Sequence, residues 1–180
     1  DEYCGGIRNG KELKAVVAGG SSVPVLPKDL ILKLANGEPR LMSYESLSEG
    51  GFATGTMLGS GGFIVMDEDT SIVKNLWTFT RFYHHESCGQ CSPCREGTGW
   101  LYRVIHRIEN GLGRPDDLDL LNSVTTNIMG RTICALGDAA SMPVQSFIKH
   151  FGEEFAFHIE HKKCLVPYDV QHDGSKIYVA

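Results

Sequence analysis

The 180-residue chain has no apolar run near the roughly 18 residues that span a bilayer, so any membrane link must run through partner proteins. It has no excess of positive charge. Seventeen Lys and Arg face 22 Asp and Glu, for a formal net charge of −5, which argues against nucleic acid as a partner. Neither G-x-x-x-x-G-K-S/T nor G-x-G-x-x-G occurs. The stretches Gly19-Gly20-Ser21-Ser22 and Gly59-Ser60-Gly61-Gly62 are therefore read as backbone turns that need positive φ, not as phosphate cradles. No nucleophile–base set and no paired carboxylates in a helical context stand out, so no catalytic and no small-molecule cofactor-binding residue is assigned. No secretory leader is visible, which suggests a reducing compartment for the six cysteines. The opening Asp1-Glu2-Tyr3-Cys4-Gly5-Gly6 reads like a helix end running into a glycine stop, as if the chain were entered in mid-domain.

What is present is Ser87-Cys88-Gly89-Gln90-Cys91-Ser92-Pro93-Cys94-Arg95-Glu96. Three cysteines stand at C-x2-C-x2-C, and Cys134 lies 40 positions beyond Cys94. Three closely spaced thiolates and one remote thiolate suit the four corners of an iron–sulfur cube. Structural zinc usually pairs two C-x2-C knuckles, or one knuckle with two histidines; Cys134 has no such neighbour. Zinc and a disulfide or free-thiol reading remain the alternatives. Pro93 favours the first turn of a helix, which places the loop at a helix N-terminus, where free N–H groups and the macrodipole favour an anion. Arg95 adds positive charge there or is an ordinary solvated side chain. Cys4 is read as a buried hydrophobe and Cys164 as exposed, neither as a ligand. His84 and His85 precede the loop without a ligand role, and the other histidines are read as helix-surface or tail residues.

Hydrophobic content of 42% supports real cores, in one or two domains. Residues 7–66 are β-flavoured. Lys14–Ala18 is a strand, Val23–Leu26 extends between two prolines, Leu30–Leu34 is strand or helical turn, and Tyr44–Leu47 is a short helix. Residues 55–66 read as two short strands, or as a strand flanking a glycine turn. From Asp67 the pattern becomes helical, with Asp67–Ser71 offering caps and acids for a first turn and Ile72, Val73, Leu76, Phe79, Phe82 and Tyr83 forming a stripe. A second helix over about 94–110 buries Trp100, Leu101, Val104, Ile105 and Ile108. A third, opened by Asp116-Asp117, buries Leu118, Leu121, Val124, Thr125 and Ile128. A fourth starts at Pro143. Trp77, Trp100 and the phenylalanines are assigned to the core. Four amphipathic helices with short connections form a bundle, in which the loops after the first and third lie at one end, so that Cys134 meets Cys88, Cys91 and Cys94. A β-like end, Lys176–Val179, closes a polar tail.

The blocks Glu86–Gly97, Ile133–Ala140 with Pro143-Val144-Gln145, Leu58–Asp69 and Gly19–Pro24 resemble the flavin-bearing, NADH-oxidising subunit of respiratory complex I, called the F subunit in bacteria. The likeness runs to about residue 164. It implies an α+β fold: a β-grasp, soluble-ligand-binding type domain over 1–70, incomplete at its N-terminus, then a four-helix bundle over 71–162 binding one 4Fe-4S cluster, then a tail over 163–180. Cys88, Cys91, Cys94 and Cys134 match the family's ligands one by one. FMN and NAD belong to an upstream domain that this chain lacks, so the chain resembles a C-terminal fragment that does not oxidise NADH unaided. The implied chemistry is hydride transfer from NADH to FMN, then single electrons through the cube to an E-like 2Fe-2S protein and a G-like iron–sulfur protein of the same complex. The implied location is a peripheral complex on the cytoplasmic face of a bacterial inner membrane or the mitochondrial matrix side. Backbone N–H groups around Gly89, Gln90 and Ala135 are candidates for bonds to cluster sulfurs. Ala135-Leu136 is a candidate filler of the gap between flavin and cluster. Related subunits occur in NAD-linked hydrogenases and formate dehydrogenases, but no second cysteine cluster follows Cys164, which favours the respiratory enzyme.

Overall fold

The computed structural model describes residues 5–34 and 36–166; Cys4, His172 and the expected strand 176–179 lie outside them. It is a mixed α/β structure, with a small sheet against several helices. Strand β1 (Leu13–Ala18) is central, flanked by β2 (Leu26–Pro27) and β3 (Phe63–Asp67), all antiparallel, in the order β2-β1-β3. Val16 pairs with Leu26 on one side and with Val65 on the other. Successive strand residues point to opposite faces, and β1 uses both. Ala15 and Val17 enter the large core shared with the helices, while Val16 and Ala18 enter a smaller one with Leu26, Ile31 and Leu47. One continuous apolar core therefore runs from the sheet into the helical part.

The smaller core is roofed by α1 (Lys28–Leu32) and α2 (Tyr44–Ser48), which supply Ile31 and Leu47, and α3 (Gly51–Thr54) follows α2. Leu30–Leu34 thus resolves toward helix, and the 55–66 stretch holds one strand after a glycine turn, not two. Buried Arg40 holds this roof together: Nε donates to Leu30 O at 2.7 Å, Nη1 to Ser46 O at 2.7 Å and Nη2 to Thr54 O at 2.8 Å. Those carbonyls end short helices and would otherwise lack donors.

Helices α4 (Ile72–Glu86), α5 (Ser92–Glu109), α6 (Asp117–Ile128) and α7 (Leu136–His161) pack on one another. Ser71 caps α4, its hydroxyl accepting from the Lys74 N–H at 3.3 Å. The acids before it do not enter the first turn as expected. Asp67 ends β3, and Lys11 binds Asp67 at 3.4 Å and Asp69 at 2.6 Å. The fourth helix begins seven residues earlier than expected, at Leu136, and carries Pro143 in its interior. Gly137, Asp138 and Ser141 are weak helix formers, but Gly137, Ala140, Ser141 and Pro143 are all buried, so tertiary packing overrides propensity. Phe151 leaves helical geometry at φ −131°, which bends α7.

Three assignments to the core are corrected. Trp100 and Phe82 are each 51% exposed at the margin of their helices' apolar stripes, and Phe63, on the edge strand β3, is 48% exposed. Trp77 does pack on the core. His158, expected on a surface, is only 1% exposed. Lys14 crosses from β1 to α7, its Nζ 2.6 Å from Glu154 Oε2 and 2.8 Å from Thr70 O, while Glu154 Oε1 accepts from the Ile72 N–H at 2.8 Å. That buried carboxylate ties the sheet, the start of α4 and α7 together.

Candidate metal centre

Helix α4 ends at Glu86 and α5 starts at Ser92, leaving five residues to reverse the chain. Gly89 makes the turn at φ +79°, where a side chain would strain the backbone. Cys91 is the N-cap residue of α5, Pro93 fills its first turn, and Cys94 follows inside that turn. The first N–H groups of α5 have no intrahelical acceptor and carry the positive end of its dipole. Cys94 is 7% exposed, Cys91 half-buried and Cys88 exposed.

The fourth cysteine arrives from the other hairpin. Helix α6 ends at Ile128, Gly130 turns at φ +68°, and residues 129–135 lead into α7. The Ile133 N–H donates to Cys91 Sγ at 3.4 Å, so this connection lies against the cysteine loop. Asp138 Oδ1, in the first turn of α7, accepts from the Gly130 N–H at 2.7 Å, and Thr132 Oγ1 donates to Cys134 O at 2.8 Å. Two glycines allow the approach. A Cβ on Gly97 would stand 2.5 Å from Ile128 Cδ1, and one on Gly137 would stand 2.6 Å from Thr132 Oγ1. Cys134 itself is exposed, and Ile133 beside it is 86% exposed.

Arg95 is not an idle solvated side chain. Its Nη1 donates to Gly89 O at 2.8 Å, Nη2 to Ser92 Oγ at 3.3 Å and Nε to Glu96 Oε1 at 3.0 Å. It clamps the loop onto α5. The Gly89 N–H reaches Ser87 Oγ at 3.4 Å, and Ser87 Oγ lies 3.3 Å from Cys94 Sγ. His84 stacks on Tyr102 at 5.8 Å; its pKa is lowered by burial and by the nearby charges of Arg103 and His85. His85 is exposed and lies 3.0 Å from Glu86. Cys164 is half-buried, not exposed as expected, with its thiol pKa raised by burial, and it lies beside Ser71, at the opposite end of α4 from the loop.

All five described cysteines are free thiols. Among the described residues no three His, Cys, Asp or Glu side chains gather tightly enough to share one metal ion. A helix N-terminus, the connection that carries Cys134 lying against the cysteine loop, the Ile133 N–H on Cys91 Sγ and the Ser87 hydroxyl beside Cys94 Sγ fit an anionic iron–sulfur group, which takes one thiolate on each iron. Sequence reasoning missed Ser87, Thr132, Asp138, Gly97 and Gly137. Only Gly97 and Gly137 left a trace, as glycines inside helical patterns.

Residues 74–158 match the family described as the NADH-ubiquinone oxidoreductase-F iron-sulfur binding region. The F subunit of NADH-quinone oxidoreductase from Rickettsia bellii is 48% identical over 161 residues, which is 89% of this chain and 36% of that protein. An F subunit of the same enzyme from Rhizobium meliloti is 47% identical over 161 residues, 89% of this chain and 35% of that protein. The chain thus spans about a third of the length of these relatives. An NAD+-reducing NiFe-hydrogenase in its H2-reduced state superposes with a TM-score of 0.66 at 26% identity, covering 88% of this chain and 24% of that one. Residues 74–158 are thus similar to the NADH-ubiquinone oxidoreductase-F iron-sulfur binding region, and the likeness to F subunits of NADH-quinone oxidoreductase extends over 89% of this chain.

Proposed function

We propose that Cys88, Cys91, Cys94 and Cys134 hold one 4Fe-4S cluster and that the chain is the electron-relay portion of an NADH:quinone oxidoreductase subunit. The observation that carries this reading is the Ile133 N–H on Cys91 Sγ at 3.4 Å, which joins two cysteine segments far apart in sequence. When bound, the cluster supplies one-electron transfer between a reduced flavin and the iron–sulfur centres of neighbouring subunits. The chain's own residues supply ligands, a helix N-terminus, a clamp in Arg95 and a dry side at Cys94. No residue of this chain is assigned to hydride chemistry; FMN and NAD belong to the portion of the longer relatives that it does not span.

In this reading residues 1–70 are part of a β-grasp domain, 71–162 a four-helix iron–sulfur bundle and 163–180 a tail. The partners are an E-like 2Fe-2S protein and a G-like iron–sulfur protein, in a peripheral complex on the cytoplasmic face of a bacterial inner membrane or the matrix side of a mitochondrion. Among the described residues no helix is long and apolar enough to cross a membrane. The superposition on an NAD+-reducing hydrogenase favours a second reading, the equivalent subunit of such an enzyme.

Anaerobic reconstitution should load about four irons and four sulfides per chain and give an EPR signal on reduction, and Cys134→Ala should abolish it. A full cube in Cys134→Ala would reject the ligand set. Stoichiometric zinc without sulfide in anaerobically isolated material would replace the relay with a zinc-stapled docking module.

A further inference from the structure

Among the described residues, two of the four sulfurs carry a donor, and the two donors differ in kind. At Cys91 it is the backbone N–H of Ile133, which almost any residue at 133 would supply. At Cys94 the contact is with the Ser87 hydroxyl, so it depends on the side chain at position 87. Cys94 is the most enclosed of the four, at 7% exposure. A donor on a buried sulfur acts in a low local dielectric, where no water stands ready to replace it. Cys88 and Cys134 are exposed, so water serves that purpose there.

The direction of the Ser87–Cys94 bond follows from the cluster-bound state. The Ser87 oxygen accepts from the Gly89 N–H at 3.4 Å, and a cluster-ligating Cys94 is a thiolate with no hydrogen to give, so the hydroxyl hydrogen is the one shared with Cys94 Sγ at 3.3 Å. Gly89 is held in turn by Arg95 Nη1 on its carbonyl at 2.8 Å, and Arg95 sits on the first turn of α5 next to Cys94. The relay closes on itself: Arg95 fixes Gly89, Gly89 orients Ser87, and Ser87 meets the residue preceding Arg95.

We propose that Ser87 sets the reduction potential of the cluster by donating its hydroxyl hydrogen to the Cys94 sulfur. The inference rests on the 4Fe-4S reading above. Adding one electron raises the negative charge shared by the cluster and its thiolates. A hydrogen bond to a ligand sulfur stabilises the more negative state more, so it raises the potential. No bond forms or breaks and no proton is transferred. Ser87 is a positioning residue that acts through Cys94.

The test uses the full 180-residue chain, loaded anaerobically and titrated with dithionite in the presence of mediators. Ser87→Ala is expected to keep the wild-type iron and sulfide content, to lower the midpoint potential and to raise the iron–cysteine stretching frequency in resonance Raman. Ser87→Thr, which retains the hydroxyl, is expected to return both readouts toward wild type. An unchanged midpoint in fully loaded Ser87→Ala overturns the proposal. Loss of the cube in Ser87→Ala also overturns it, since Ser87 would then be an assembly residue. If the wild-type chain fails to take up a cube, the proposed function fails first, an outcome distinct from either of these.

Discussion

Asp117 is fully buried and opens α6, and Arg107 reaches it from the last turns of α5. Arg107 Nε donates to Asp117 Oδ2 at 2.9 Å, Nη2 donates to Oδ1, and the Arg114 N–H donates to Oδ2 at 2.9 Å. This bidentate pair closes the α5–α6 hairpin at the end away from the cysteines, about 22 Å along α5 at 1.5 Å per residue. Replacing Arg107 with Met keeps an apolar stem and leaves a buried carboxylate without its cation. Breaking a buried pair in this way costs about 3–5 kcal/mol. Arg107 is 26% exposed, so solvent screening places the expected loss at the lower end, about 3 kcal/mol. The pH dependence should reverse as well. In the native chain burial pushes the Asp117 carboxyl up, but the Arg107 bonds and the Arg114 N–H outweigh it and hold the pKa below the usual carboxylate range. A depressed folded pKa contributes stability that is present above the unfolded pKa of about 3.9 and is lost as pH falls through the folded value. In Arg107→Met burial dominates and the folded pKa rises. The carboxyl is then tolerated below the unfolded pKa and becomes a liability as pH rises. Urea unfolding of the metal-free chain at several pH values reads both effects through the midpoint at constant m. The double variant Arg107→Met, Asp117→Leu should recover most of the loss. A loss under about 1 kcal/mol in the single variant, the range of solvent-screened surface pairs, with an unchanged acid slope, would refute the reasoning.

Gly97→Ala should push Ile128 from its place, since the new Cβ would fall 2.5 Å from Ile128 Cδ1. The expected cost is about 1–3 kcal/mol, read by urea unfolding, and Ile128→Val should not relieve it, because Cγ1, 2.6 Å from the new Cβ, remains. Arg95→Ala removes the clamp on Gly89 and Ser92; the loaded chain should lose its visible absorbance severalfold faster in air, with Arg95→Lys intermediate. The pKa of His158 is lowered, chiefly by burial against a smaller opposing pull from Glu154. Its contribution is therefore present above the unfolded pKa of about 6.5 and lost as pH falls through the folded value. The metal-free chain should weaken on acidification from pH 7, and His158→Phe should flatten that slope in thermal melts.

The local pattern was sufficient for the parts of the fold that obey short-range rules. The helical spacing of Leu101, Val104, Ile105 and Ile108 marks α5, Pro93 marks its start, and the alternation of Ala15 and Val17 with Val16 and Ala18 marks a strand buried on both faces. Periodicity says which residues share a stripe, but not how wide the partner surface is, and so it placed Trp100 and Phe82 inside. A proline after weak helix formers reads as a helix start; the early start of α7 goes with burial of Gly137, Ala140 and Ser141, Gly137 packing on Thr132 and Ile128 at the end of the α6 connection.

For the site, cysteine spacing pointed to four thiols and favoured a cube over zinc or a disulfide, because ligand number and kind are local properties of a sequence. Which sulfur is enclosed, which group donates to it and what brings Cys134 beside the loop belong to the fold. Ser87, Asp138 and Gly137 are ordinary letters until α4, α5 and α7 set them against Cys94, Gly130 and Thr132. The same holds at the far end, where Asp117 reads as one of two acids that open a helix and becomes a buried partner of Arg107 only once α5 and α6 close on each other. Hydrogen bonds and burial depend on distances between segments, and those distances exist only after the chain has packed.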